Sequence, residues 1–272
     1  MGMSNPVIAV IGAGKIGEAL LSGLLAGGHQ PDELLFTERH PERSAQLTEQ
    51  YGIRGVTLED AAKTADVLVV SVKPQDIEPL LADLAPLVTA RTLIVSLCAG
   101  LPTTLFEQRL GEVPVVRVMP NTPMLVGEAM SVASPGKYAN PDHVAMVEKM
   151  LSHVGKVIEL PESQQDAVTA LSGSGPAYFY YLVEAMIDAG ILLGLPRSVA
   201  EQLIIQSAVG AAKMLASSDE HPVLLREAVT SPAGTTINAI RELEKHGVRA
   251  ALLDAIEAAR DRSVELGKAH EG

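Results

Sequence analysis

Val7 to Ala26 reads V-I-A-V-I-G-A-G-K-I-G-E-A-L-L-S-G-L-L-A, and the reading of that stretch decides the rest. A short β-branched run, Val7 to Ile11, meets Gly12-Ala13-Gly14-Lys15-Ile16-Gly17, after which Ile16, Leu20, Leu24 and Leu25 recur at helical spacing. That order predicts a strand, a glycine turn and a helix. Gly12 is expected to turn the chain, Gly14 to let the backbone touch a diphosphate, and Gly17 to bring helix close to strand. The diphosphate then rests on the open N–H groups of the helix start, where the helix dipole favours anions. Gly12, Ala13, Gly14, Lys15, Ile16 and Gly17 are therefore candidate dinucleotide contacts. An ordinary glycine turn of an α/β domain shares this pattern, so the assignment depends on the strands downstream of it.

Leu34 to Thr37 reads as the second strand and Pro41 to Gln50 as its helix. At the end of such a strand an acid holds the ribose 2′-hydroxyl of NAD, whereas an arginine accommodates the 2′-phosphate of NADP. Both occur here, as Glu38-Arg39 followed by His40 and Arg43. Because Arg39 and Arg43 can both face a phosphate, the reading favours NADP, with NADPH preferred over NADH; two solvated arginines are the alternative. Val67–Val72, Thr92–Leu97 and Val115–Val118 are continuous apolar runs, the look of buried parallel strands. They end in Lys73-Pro74, in Cys98-Ala99-Gly100 and in Met119-Pro120-Asn121-Thr122-Pro123. Ligands of open α/β sheets lie outside such carboxyl ends, so Ser71, Leu97 and Asn121 are expected at one crevice with the glycine turn.

Ser131–Ala133, a helix from Pro141 to His153, and Val157–Leu160 complete an α/β domain near residue 160. Beyond it the pattern is helical, at about 163–170, 176–193, 196–216, 221–229, 235–246 and 248–267. The expected architecture is an N-terminal Rossmann-like dinucleotide-binding domain, residues 1–160, followed by an all-helical C-terminal dimerisation domain, residues 161–272. Leu203, Ile204, Ile205, Val209 and Met214 make that second domain more apolar than a small monomer needs, which points to a homo-oligomer built from dimers. The longest apolar stretch, Ala177 to Leu195, contains Glu184 and Asp188 and is read as a core helix of a soluble protein, not a membrane span.

The 272 residues are 47% hydrophobic but only 3% aromatic, so the core is one of Leu, Val, Ile and Ala. A net charge of −12 and a pI near 5.0 argue against nucleic-acid and anionic-membrane surfaces, and any anionic ligand must be gripped by local devices. The single cysteine, Cys98, excludes an internal disulfide and fits a reducing compartment, the cytoplasm. His29, His40, His143, His153, His221, His246 and His270 show no metal-ligand spacing, and no metal is expected.

Two helix starts in the second half are unusual. Ser172-Gly173-Ser174-Gly175-Pro176-Ala177-Tyr178 sets serines and glycines before a proline suited to a first helical turn. In Val229-Thr230-Ser231-Pro232-Ala233-Gly234-Thr235-Thr236, backbone N–H groups and the hydroxyls of Ser231, Thr235 and Thr236 converge at a helix N-terminus. Such a place can grip a carboxylate without an arginine, which suits a small acidic substrate on an acidic protein. An over-decorated N-cap is the structural alternative.

At these residues the sequence closely resembles the pyrroline-5-carboxylate reductases, over essentially its whole length. The carriers are I-G-A-G at 11–14, S-V-K-P-Q at 71–75, V-R-V-M-P-N-T-P at 116–123, A-L-S-G-S-G-P-A-Y at 170–178 and V-T-S-P-A-G-T-T at 229–236. The resemblance implies reduction of 1-pyrroline-5-carboxylate to L-proline by NADPH or NADH, in a site completed across a dimer of interleaved helical domains. It implies that Val72, Lys73, Pro74, Cys98 and Ala99 touch the cofactor, and that Thr235 and Thr236 hold the substrate carboxylate; Ser231 and Gly234 of the same loop are substrate-binding candidates beside them. Asp219 or Glu220, beside His221-Pro222, is a candidate for the substrate nitrogen, as is Glu162 by the resemblance. The family usually has Gly-Gly where this chain has Ala233-Gly234; if position 233 needs a positive φ, alanine costs about 1 kcal/mol. Ala228 also stands where relatives are often polar.

Such a reaction needs mainly positioning, since an imine can arrive protonated and then needs a hydride at the adjacent carbon. Thr236 is the candidate catalytic residue, bonding the nitrogen or relaying a proton. Lys73 is either a general acid or a structural strand-end residue. Two other readings stay open: a related two-domain oxidoreductase acting on another imine or a hydroxy acid, and a non-catalytic dinucleotide-binding regulator.

Overall fold

The computed structural model describes residues 6–268. His270, and the outermost residues of both expected domains, lie outside them. Eight strands form one sheet: β1 (Ile8–Ile11), β2 (Leu34–Thr37), β3 (Arg54–Gly55), β4 (Val67–Val70), β5 (Leu93–Ser96), β6 (Val115–Met119), β7 (Ala129–Pro135) and β8 (Gly155–Glu159), in the order β3-β2-β1-β4-β5-β6-β7-β8. Pairing is parallel throughout except between β6 and β7. The order reverses at β1, which is where an open sheet leaves a crevice at its carboxyl end.

The apolar runs became the central strands because both faces of the sheet are covered. Ile8, Val10, Val69 and Val95 point to one side, under α1 (Lys15–Ala26), α2 (Pro41–Tyr51) and α6 (Pro141–Leu151). Ala9, Ile11, Leu68, Val70 and Ile94 point to the other, toward α3 (Leu58–Thr64), α4 (Ile77–Leu84) and α5 (Thr103–Leu110). Leu20 and Leu24 of α1 are fully buried against the first face, a gain of roughly 1.5–3 kcal/mol each.

The chain divides into two compact units, Met1–Ser174 with Ala259–Gly272, and Gly175–Ala258. Residues 161–174, grouped by sequence with the helical domain, therefore cluster with the sheet, as does the end of the last helix. The physical reason is a set of polar links: Gln165 donates to Val132 O and Ser134 Oγ of β7, and Ser263 Oγ donates to Asp166. After a short helix α7 (Gln165–Val168), Thr169–Gly173 widens into a π-turn.

The second unit holds α8 (Gly175–Leu192), α9 (Arg197–Ser217), α10 (Pro222–Ala228), α11 (Thr235–Lys245) and most of α12 (Val248–Lys268). Among the described residues no helix is long and apolar enough to cross a membrane. Nor is α8 the buried core helix its composition predicts. Of its residues only Gly175 and Ile187 are buried, and Phe179, Tyr180 and Tyr181 each keep about two-thirds of their surface or more. Its apolar faces are not covered within one chain.

Candidate active site

The glycine turn lies where the sequence places it, and each glycine has a separate reason. Gly12 has φ +92°, and a Cβ there would sit 2.8 Å from Ser71 O; a Cβ on Gly17 would sit 2.5 Å from Gly12 O. A Cβ on Gly14 would meet nothing within 4 Å, so the backbone at the start of α1 faces open space. Gly14 is the N-cap and offers no side chain, leaving the first N–H groups of α1 uncapped by any side chain. A diphosphate fits such a cradle.

Three hydrogen bonds continue the parallel ladder past the strand ends: Gly12 N to Thr37 O, Ser71 N to Ile11 O, and Leu97 N to Val70 O, at 3.2, 2.8 and 2.9 Å. Gly12, Ser71 and Leu97 are thereby held in one row. Lys73 and Ala99 beyond them are exposed, and Val72 and Pro74 partly so. Cys98 turns inward instead: its Sγ donates to Val72 O at 3.4 Å, and burial raises its pKa to about 11. The thiol is thereby withdrawn from any ligand. The Asn121 side chain is also spent internally, donating to Ser172 O and accepting from Met130 N, so it braces the π-turn against the end of β6.

The charged residues are where structure and sequence part. Arg39 is exposed and donates to both carboxylate oxygens of Asp76, in the turn after β4. Arg43, expected to share the phosphate, is held by Glu18 of α1 and by Gln46. Tyr51 also donates to Glu18 at 3.1 Å. Glu38 accepts from its own chain, at His40 N.

Glu162 departs furthest from expectation. It accepts from Thr103 N and Thr103 Oγ1 at 2.8 and 2.7 Å and pairs with Arg117 at 3.3 Å. The carboxylate thus caps α5 and pairs with a buried guanidinium, roles the sequence did not announce. The buried Arg117 hides in the sequence inside an apolar run, with no local signal of its partner.

In the second unit, the loop before α11 has an open start. Gly234 is the N-cap, with no side-chain cap, so the neighbouring hydroxyls are not consumed in capping. Among the described residues the hydroxyls of Ser231, Thr235 and Thr236 make no hydrogen bond, and Ser231 and Thr235 are exposed. The loop is closed by Gly234 N donating to Ser231 O at 3.1 Å and by Asn238 donating to Gly234 O at 2.9 Å. Ala233 has φ +58°. Asp219 is exposed in the turn after α9. Ser172 does not cap α8: its Oγ donates back to Val168 O at the end of α7.

A family model described as pyrroline-5-carboxylate reductase dimerisation matches residues 162–266, and one described as NADP oxidoreductase, coenzyme F420-dependent, matches residues 7–100. A pyrroline-5-carboxylate reductase of Corynebacterium melassecola is 47% identical over 96% of this chain and 98% of that protein. The chain belongs to the pyrroline-5-carboxylate reductase family. A further member, from Mycobacterium tuberculosis, is 43% identical over 95% of this chain and 96% of its own. Among solved structures, the family member of Coxiella burnetii matches with a TM-score of 0.92 at 34% identity, covering 97% of this chain and 99% of that one. The Plasmodium falciparum member, solved with NADP bound, matches at 0.88 and 30% identity, over 98% and 100% of the two chains. The family assignment embraces both units, so the sheet and the helices are read as parts of one enzyme.

Proposed function

We propose that the protein reduces 1-pyrroline-5-carboxylate to L-proline, using NADPH in preference to NADH. The observation that carries this reading is the full-length likeness to reductases of that name, over both compact units. The coenzyme belongs to the first unit. The open start of α1 receives the diphosphate, with Gly12, Ala13, Gly14, Lys15, Ile16 and Gly17 around it. Arg39 receives the 2′-phosphate. Ser71, Val72, Lys73 and Pro74, with Leu97, Ala99 and the backbone of Cys98, border the row of strand ends, and Asn121 fixes the π-turn beside it. Bound there, reduced nicotinamide supplies the hydride that converts the imine carbon to an amine carbon.

The substrate carboxylate belongs to the second unit. The first N–H groups of α11 and the unspent hydroxyls of Ser231 and Thr235 hold the anion, while Gly234 lets the turn close. The Thr236 hydroxyl holds the ring nitrogen, donating to or accepting from it as its proton state requires. Asp219, exposed and unengaged among the described residues, offsets positive charge at the nitrogen. Glu162 takes no part in this scheme, because Thr103 and Arg117 occupy it. The exposed apolar faces of α8 and α9 support a homodimer formed by the helical unit. A single, buried cysteine with a raised pKa fits the cytoplasm.

The test is direct. The purified chain is mixed with NADPH and pyrroline-5-carboxylate, and loss of reduced-nicotinamide absorbance is followed together with proline formation. Equal amounts of coenzyme oxidised and proline formed are expected. NADPH binding without turnover would leave the regulator reading, and oxidation with another imine or a hydroxy acid alone would leave the related oxidoreductase.

A further inference from the structure

The salt bridge between Arg39 and Asp76 joins the ends of two strands on which the choice of coenzyme turns. Arg39 follows β2 with 76% of its side chain exposed, and Asp76 ends the turn after β4 with 29% exposed. The contact is two-pronged: Nη2 donates to Oδ2 at 2.9 Å and Nη1 to Oδ1 at 3.4 Å. A pair this open contributes at most about 1 kcal/mol to folding, so stability gives little reason for it. Arg43, the other arginine expected at the phosphate, is committed to Glu18 and Gln46, and Glu38 accepts from His40 N.

We infer that Asp76 sets coenzyme specificity, its carboxylate competing with the coenzyme's 2′-phosphate for the Arg39 guanidinium. The inference rests on the assignment of Arg39 to that phosphate. A phosphate monoester carries about −1.5 to −2 charge at neutral pH and is gripped best by two parallel donors of a guanidinium. Those two donors are the ones Asp76 holds. The incoming phosphate must displace the carboxylate or share the guanidinium with it at close range, against like-charge repulsion. Both penalties fall on NADPH and spare NADH, whose 2′-hydroxyl is neutral. Asp76 therefore narrows the gap between the two coenzymes, and a neutral amide of the same size widens it.

The experiment titrates NADPH and NADH into the full-length protein by nicotinamide fluorescence. Asp76→Asn is expected to lower Kd for NADPH by about three- to tenfold, with Kd for NADH changing less than about twofold. An unchanged or raised Kd for NADPH overturns the inference, whatever happens to NADH. In an Arg39→Ala background the same substitution is expected to tighten NADPH much less; an equal gain there overturns competition for the guanidinium. Arg39→Ala alone is expected to weaken NADPH by at least about tenfold and NADH little. Should it weaken both equally, the assignment of Arg39 fails and takes the inference with it. That result is distinct from a silent Asp76→Asn on an intact Arg39.

Discussion

Ala233 shows how one side chain can set a loop at odds with its own preference. It is the one non-glycine residue with positive φ among those described, at +58°, where a Cβ crowds the following carbonyl and costs roughly 1–2 kcal/mol. Replacing it with glycine removes that crowding but enlarges the unfolded ensemble, and the two effects nearly cancel. Ala233→Gly is thus expected to shift stability by less than about 0.5 kcal/mol, whereas the β-branched Ala233→Val is expected to cost about 1–2 kcal/mol. Urea unfolding of the two variants checks this, and a valine variant as stable as the parent would show that the left-handed turn carries no strain. Thr236→Val keeps shape and removes a hydroxyl. It is expected to raise KM for the imine and lower kcat while Kd for NADPH stays put. Unchanged steady-state constants would remove Thr236 from the chemistry.

Among the elements, α5 depends most on a distant residue. Its N-cap, Pro102, offers no side chain, and the cap comes instead from Glu162, which takes both the N–H and the hydroxyl of Thr103. The same carboxylate balances Arg117, whose side chain is 7% exposed, whose Nη1 donates to Glu162 and whose buried Nη2 has no hydrogen-bond partner among the described residues. Removing one member of such a pair strands a buried charge. Glu162→Ala is expected to cost about 3 kcal/mol, read as a lower urea midpoint at unchanged slope, with KM for the imine little altered in the folded fraction. A raised KM with normal stability would return Glu162 to the substrate pocket. The π-turn at Thr169–Gly173 is a second element set from afar. A Cβ on Gly173 would sit 2.5 Å from Met119 Cε, so a side chain there would require the flexible end of Met119 to move aside.

At the scale of the molecule, the helical unit carries apolar surface that one chain does not cover. Ile205 and Val209, one turn apart on α9, are 53% and 42% exposed. The double variant Ile205→Glu with Val209→Glu is expected to yield monomers by light scattering, at the cost of activity, while its coenzyme affinity stays near the parent's. A dimeric double variant would place the interface on other helices. The two units also differ in how they could be read. The sheet was legible except for β3, whose two exposed residues Arg54 and Gly55 carry no pattern, because buried parallel strands must be apolar along their length and end in turns. The helices α3, α4 and α5 are short and carry weaker patterns. The helical unit was legible as helices but not as a surface, since composition alone does not say whether an apolar face meets its own chain or another.

By itself the sequence determined the glycine turn, the succession of buried strands and the switch to helices near residue 160, all of which rest on patterns a few residues long. Only the tertiary structure decided the partners of charge. Arg39 meets Asp76 across 37 residues and Thr103 meets Glu162 across 59, because strand order brings remote segments side by side. It also decided the hand of Ala233 and the return of residues 161–174 to the sheet. A salt bridge or a left-handed turn has no period in the chain; it is fixed by what the fold places next to it.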